Sequence, residues 1–134
     1  MSVTQADVAV VRRAYDALNA RDPAAAGECF AEDAVWHVPG RSAIAGSHRG
    51  LAAIRRDFFE RLVRLSGGSF RADVMDITAG EHFVVAIQHA TASFAGRSLD
   101  ITACQMMSLS NGKIVEVRSH YSDQYGLDSF WQEA

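Results

Sequence analysis

Apolar residues recur at three- and four-residue steps in the first half of the chain and at alternate positions in the second. Val8, Val11, Tyr15 and Leu18 mark one helical face ending near Asn19, because that spacing returns side chains to the same side of the helix. Thr4 precedes it as N-cap, with Asp7 at the third helical position. Asp22 and Pro23 start a second, short helix that runs to about Phe30, since proline suits a first helical turn. Residues 33–38 are expected to be extended, and Pro39-Gly40 breaks that strand. Irregular chain containing Gly46 follows. Leu51, Ile54, Phe58, Leu62 and Leu65 then predict a third amphipathic helix, closed by Ser66-Gly67-Gly68.

Four strand-like runs come next, at residues 69–78, 83–94, 98–110 and 113–123, separated by Gly80, Gly96 and Asn111-Gly112. Asn-Gly between alternating runs is a hairpin signal, and short connections imply an antiparallel meander. Helices first and strands after is an α+β order, and the 134 residues suit one domain spanning 1–134. Alternation sorts the strand faces. Leu99, Ile101, Ala103, Gln105, Met107 and Leu109 share the face expected to meet the helices. Phe83, Val85, Ile87, His89 and Thr91 share another, and Val115, Val117, Ser119, Tyr121 and Asp123 a third. Polar groups therefore intrude on apolar faces at Gln105, His89, Tyr121 and Asp123, which is where a pocket is expected.

Composition narrows the function. Hydrophobic residues make up 49% and the net charge is −3 with both signs interspersed. That leaves no basic footprint for nucleic acid. No apolar run reaches membrane-span length, and the first residues do not read as a signal peptide. Cys29 and Cys104 form no CxxC pair, which fits a reduced, cytoplasmic protein. No metal-ligand spacing, phosphate loop, dinucleotide fingerprint or nucleophile elbow is present, so no metal and no cofactor are expected.

The segments YDALNARD at 15–22, FAEDAVWHVPG at 30–40, AGSHRG at 45–50, DFFERL at 57–62 and LSNGKIVEVRSHYSD at 109–123 together resemble the SnoaL-like, ketosteroid-isomerase-like branch of the NTF2-like proteins. The resemblance covers most of the chain. It implies a cone of three N-terminal helices packed on a curved, mainly antiparallel sheet, an apolar small-molecule ligand, and a homodimer through the outer sheet face around Cys104 and Met106. The steroid isomerases' base Asp falls at Val38, their first-helix Tyr at Ala14 with Tyr15 one residue off, and their second acid near Gln105. Steroid-isomerase chemistry is therefore not expected. The cyclases' late acid falls at or near Asp123, with Gln105 as a donor to an enolate, while Met107 stands where they carry a His. The epoxide hydrolases' Arg and Asp would be Arg97 and Asp100, which alternate to opposite faces.

Each candidate has two readings. Asp123 is a proton carrier at a pocket mouth or a cap for the C-terminal segment. Gln105 is an oxyanion donor or a core amide bonded to backbone. Tyr121 is its hydrogen-bond partner, and Trp36 is a pocket wall or plain core. His89 and His37 are bases near neutral pH or satisfied structural residues, with His37 opposite in parity to Trp36 and Val38. His48 contacts ligand at the mouth or is solvated. Phe58 and Leu62 line the cavity or simply pack, with Val38 and Met107 beside them. The leading expectation is a cofactor-independent isomerase, cyclase or lyase acting by proton transfer through Asp123, Gln105 and Tyr121. The alternatives are a small-molecule carrier and a dimerisation module with an incidental cavity.

Overall fold

The computed structural model describes residues 4–132; both ends of the expected 1–134 domain span lie outside them. Helix α1, Gln5–Asn19, opens on a capping box. Thr4 Oγ1 accepts from the Asp7 N–H at 3.2 Å, and the Asp7 carboxylate accepts from the Thr4 N–H at 3.1 Å. Asp22 caps α2, Pro23–Gly27, by accepting from the Ala25 N–H at 3.1 Å. Strand β1, Phe30–Val38, pairs antiparallel with β2, Gly46–Arg49. Residues 46–49 were expected to be irregular. A four-residue strand with one buried side chain, His48, is too short to show alternation.

From Gly50 the chain runs continuously helical through α3, Leu51–Ile54, a π-helical turn at Arg55–Phe59, and α4, Glu60–Ser66. Gly67 ends it at φ 61°, the left-handed conformation that favours glycine. Strands β3 Arg71–Ala79, β4 Val84–Phe94, β5 Arg97–Ser110 and β6 Lys113–Tyr121 follow. The six-stranded sheet has the order β2-β1-β6-β5-β4-β3. Every neighbour is antiparallel except β1 with β6. At the β3 edge, Asn19 substitutes for a strand: its amide donates to the Ala72 carbonyl at 2.8 Å and accepts from the Ala72 N–H at 2.9 Å.

The class is the expected α+β, with three N-terminal helical segments packed on a curved sheet. A further helix, α5 Gln124–Phe130, was not expected. Leu127, Phe130 and Trp131 are 2%, 2% and 0% exposed, so this helix closes the cone. The Ala43 N–H donates to the Trp131 carbonyl at 2.9 Å, Gln124 donates to the Pro39 carbonyl at 3.2 Å, and the Arg97 guanidinium lies 5.7 Å from the Phe130 ring centre. Among the described residues no helix is long and apolar enough to cross a membrane.

Candidate functional site

Three adjacent strands bring polar side chains to the floor of the cone. Gln105 on β5 pairs directly with Ser119 on β6, and Gln88 on β4 lies two residues along from Ala86, which faces Gln105. Trp36 reaches them from β1 and Tyr15 from α1. The Trp36 indole donates to Ser119 Oγ at 2.8 Å, and Ser119 Oγ donates to Gln105 Oε1 at 2.6 Å. Gln105 Nε2 and the Tyr15 hydroxyl both donate to Gln88 Oε1, at 3.4 and 2.5 Å. Among the described residues no enclosed side-chain nitrogen or oxygen lacks a partner, as buried polar groups require.

The network carries no charge. Burial pushes the Tyr15 phenol far above its ordinary range, with the neighbouring Tyr121 and Cys104 adding to the rise. Burial also raises Tyr121, opposed by hydrogen bonds to Ser119 and Gln105. Tyr121 is half-buried as a residue, while its hydroxyl end is enclosed beside those two partners. Both phenols therefore stay protonated at neutral pH, and the Tyr15 hydroxyl donates to Gln88.

The void above this floor is about 20 Å³, room for roughly one water. Trp36, Phe58, Leu62, Gln105 and Tyr121 line it, together with Gln88, Phe70 and Trp131. Met107 lines a second void of about 20 Å³ with Tyr15, Phe30 and Phe59. A third and far larger space, a groove of about 680 Å³, lies between the α1–α2 corner and the π turn with α4, and Leu18 is a wall it shares with both cone voids.

Several expected placements change. Asp123 is exposed and does not face the cone; it caps α5, with Oδ1 accepting from the Gly126 N–H at 2.9 Å. The reason is that β6 ends at Tyr121, so strand parity no longer governs residue 123. His89 stands on the outer face and meets Asp100 at 2.6 Å, because the inward residues of β4 are Val84, Ala86, Gln88, Ala90 and Ala92. His48 is buried rather than at a mouth. Its Nε2 donates to the Ile44 carbonyl at 2.8 Å and its ring stacks on Phe58 at 5.7 Å, and it lines neither cone void. Val38 is core, 4% exposed, and lines neither void. Tyr15, set aside for its position on the helix, is the residue that does reach the floor. His37 bonds Ser47 and Glu116, at 2.7 and 3.0 Å.

Gln88 went unseen because β4 was sorted by its larger side chains. The even positions, four apolar residues and one amide, repeat the pattern around Gln105 and could have revealed it. The spacing of Leu127, Phe130 and Trp131 was likewise a helical signal in the sequence. Among the described residues no group of three or more His, Cys, Asp or Glu side chains could hold a metal ion.

Residues 11–117, from within α1 to within β6, match the SnoaL-like domain family. The uncharacterized protein Rv0034 of Mycobacterium tuberculosis is 31% identical over 128 residues, covering 94% of this chain and 96% of that protein. Among solved structures, Bal32a from a soil-derived mobile gene cassette superposes with a TM-score of 0.92 at 36% identity, over 96% of this chain and 98% of that one. A protein with a cystatin-like fold from Xanthomonas campestris gives 0.88 at 26% identity, over 95% and 98%. The family match and these relatives agree: the chain belongs to the SnoaL-like domain family, and its fold is the one NTF2-like proteins have.

Proposed function

We propose that the protein holds, rather than transforms, a small uncharged molecule carrying an oxygen acceptor. The carrying observation is that the cone void has neutral hydrogen-bonding groups, Gln88, Gln105 and Tyr121, and no carboxylate or imidazole among its lining residues. Proton-transfer catalysis near neutral pH works best with a group that titrates there. Both buried phenols are instead pushed upward. A ligand carbonyl would accept from the Gln105 amide or the Tyr121 hydroxyl, and its apolar body would take the volume now filled by Trp131. Displacing α5, whose Leu127 and Phe130 are buried with Trp131, would supply that volume. The proton-transfer reading through Asp123 loses its support from geometry.

Both tryptophans of the chain, Trp36 and Trp131, line the void, so occupancy is readable in intrinsic fluorescence. With 1-tetralone as probe, a saturable fluorescence change is expected, weakened about tenfold in Gln105→Leu by loss of one hydrogen bond. No saturable change at millimolar probe would remove the binding reading. Deuterium incorporation next to the tetralone carbonyl in D₂O should match the buffer rate. Acceleration that disappears in Asp123→Asn would restore the catalytic reading.

We also propose that two copies pair through the outer face of the sheet. The half-buried Val85, Ile87, Cys104 and Met106 offer apolar surface there, and apolar cover suits a two-fold contact.

A further inference from the structure

The 680 Å³ groove falls in the size range of small-molecule sites. Its walls are of two kinds. Leu18, Pro23, Ala26, Phe59 and Val63 give an apolar surface, and Val63 is 41% exposed. Arg21, Arg56, Arg61 and Arg64 add guanidinium groups, against Asp22, Asp57 and Glu60.

The charges are not equally committed. Asp22 is spent on the α2 cap. Asp57 accepts from Arg56 at 2.9 and 2.8 Å and lies 3.8 Å from Arg61, while Glu60 stands beside Arg56. Arg61 also donates to the Ala43 carbonyl at 2.6 Å. Arg21 differs: among the described residues its guanidinium makes one long hydrogen bond, 3.5 Å to the Asn19 carbonyl. It reaches toward the end of α4, where its Nε lies 3.8 Å from the place a Cβ on Gly68 would occupy.

The backbone at Arg21 supplies a second, independent observation. The Arg21 N–H donates to the Leu18 carbonyl at 3.1 Å and the Asp22 N–H to the Ala17 carbonyl at 2.9 Å, the Schellman pattern that ends a helix. Its left-handed position ordinarily takes glycine. Here an arginine holds φ 56°, as Ala95 and Asn111 do at 53° and 52° in the hairpin turns, and its side chain lines the groove.

We infer that this groove is a second binding site, distinct from the cone, for an amphipathic organic monocarboxylate. The apolar body lies along Leu18, Phe59 and Val63, and Arg21 takes the carboxylate. A planar guanidinium grips a carboxylate through two parallel hydrogen bonds, which a neutral alcohol cannot accept in the same way.

Octanoate and 1-octanol are the probes, titrated calorimetrically into the full chain. Saturable octanoate binding is expected, with 1-octanol at least fivefold weaker. Arg21→Gly should weaken octanoate at least fivefold while leaving Tm unchanged or raised, because glycine relieves the left-handed strain. Val63→Asp, at an exposed position, should weaken it similarly, whereas Gln105→Leu in the cone should leave it unchanged. The inference is overturned by absent saturation, by equal affinity for acid and alcohol, or by undiminished affinity in Arg21→Gly, whatever its Tm. Loss of octanoate binding in Gln105→Leu would also overturn it, by assigning the carboxylate to the cone.

Discussion

The two faces of β4 and β5 carry opposite logics. Inward, β4 shows Val84, Ala86, Gln88, Ala90 and Ala92, all buried. Outward, it shows Val85, Ile87, His89 and Thr91, all only half-buried. The face with the smaller side chains is the core, because helices and aromatic rings supply the volume there: Trp131 packs on Phe70 at 5.7 Å and on Phe130 at 4.8 Å. The face with larger branched residues is only half-buried in the single chain. Side-chain size thus points the wrong way on this strand, and tight packing depends on the summed volume across an interface, not on one side of it.

If the inner face owes its order to the aromatic plug, Trp131→Ala should have the largest effect, a loss of about 3–5 kcal/mol in denaturant melts. A loss below about 1 kcal/mol would mean that α5 rests loosely on the cone. Ile101, 7% exposed on the inner face of β5, and Leu62, 3% exposed on α4, should each cost about 2–5 kcal/mol when changed to Ala. Losses near zero would invert the assignment of faces.

The outer face should respond through assembly instead. Met106→Glu would bring two carboxylates into an apolar contact and should weaken the dimer at least tenfold by sedimentation, with about 1.4 kcal/mol as the floor. A monomeric wild type at micromolar concentration would remove the pairing.

The neutral floor of the cone has a pH signature. Tyr15 and Tyr121 are raised in the fold by burial, so the unfolded chain releases these protons first. Their contribution to stability is complete below the ordinary phenol value of about 10 and is lost as pH rises from there toward the raised folded values, by up to about 1.4 kcal/mol per pH unit for each group. Tyr15→Phe should flatten that alkaline slope in melts at pH 9–11, and an unchanged slope would place the phenol outside the buried network.

The smallest effect belongs to Asp123. As a helix cap it should tolerate asparagine within about 0.5 kcal/mol, since Asn caps as well as Asp, while Asp123→Ala should cost about 1 kcal/mol. A much larger loss for asparagine in thermal melts would show that its charge has a further role.

Residue order alone determined the class, the three N-terminal helical segments, the Asn-Gly hairpin and the inner face of β5, because each follows from local spacing or turn chemistry. Alternation put Gln105, and the helical stripe put Phe58 and Leu62, on inward faces, since an amide in an apolar run and a stripe are local signals, while Trp36 was placed inward by the family resemblance. The tertiary structure decided the rest. Which face of β4 is inward depends on what packs against it, and so His89 and Gln88 exchanged places. Asp123 changed role because β6 stops two residues earlier and a helix begins. Tyr15 reaches Gln88, 73 residues away in sequence, only because α1 lies over the sheet. The closure of the cone by Trp131 and the opening of a groove beside Arg21 are likewise consequences of how distant elements meet, which no local pattern records.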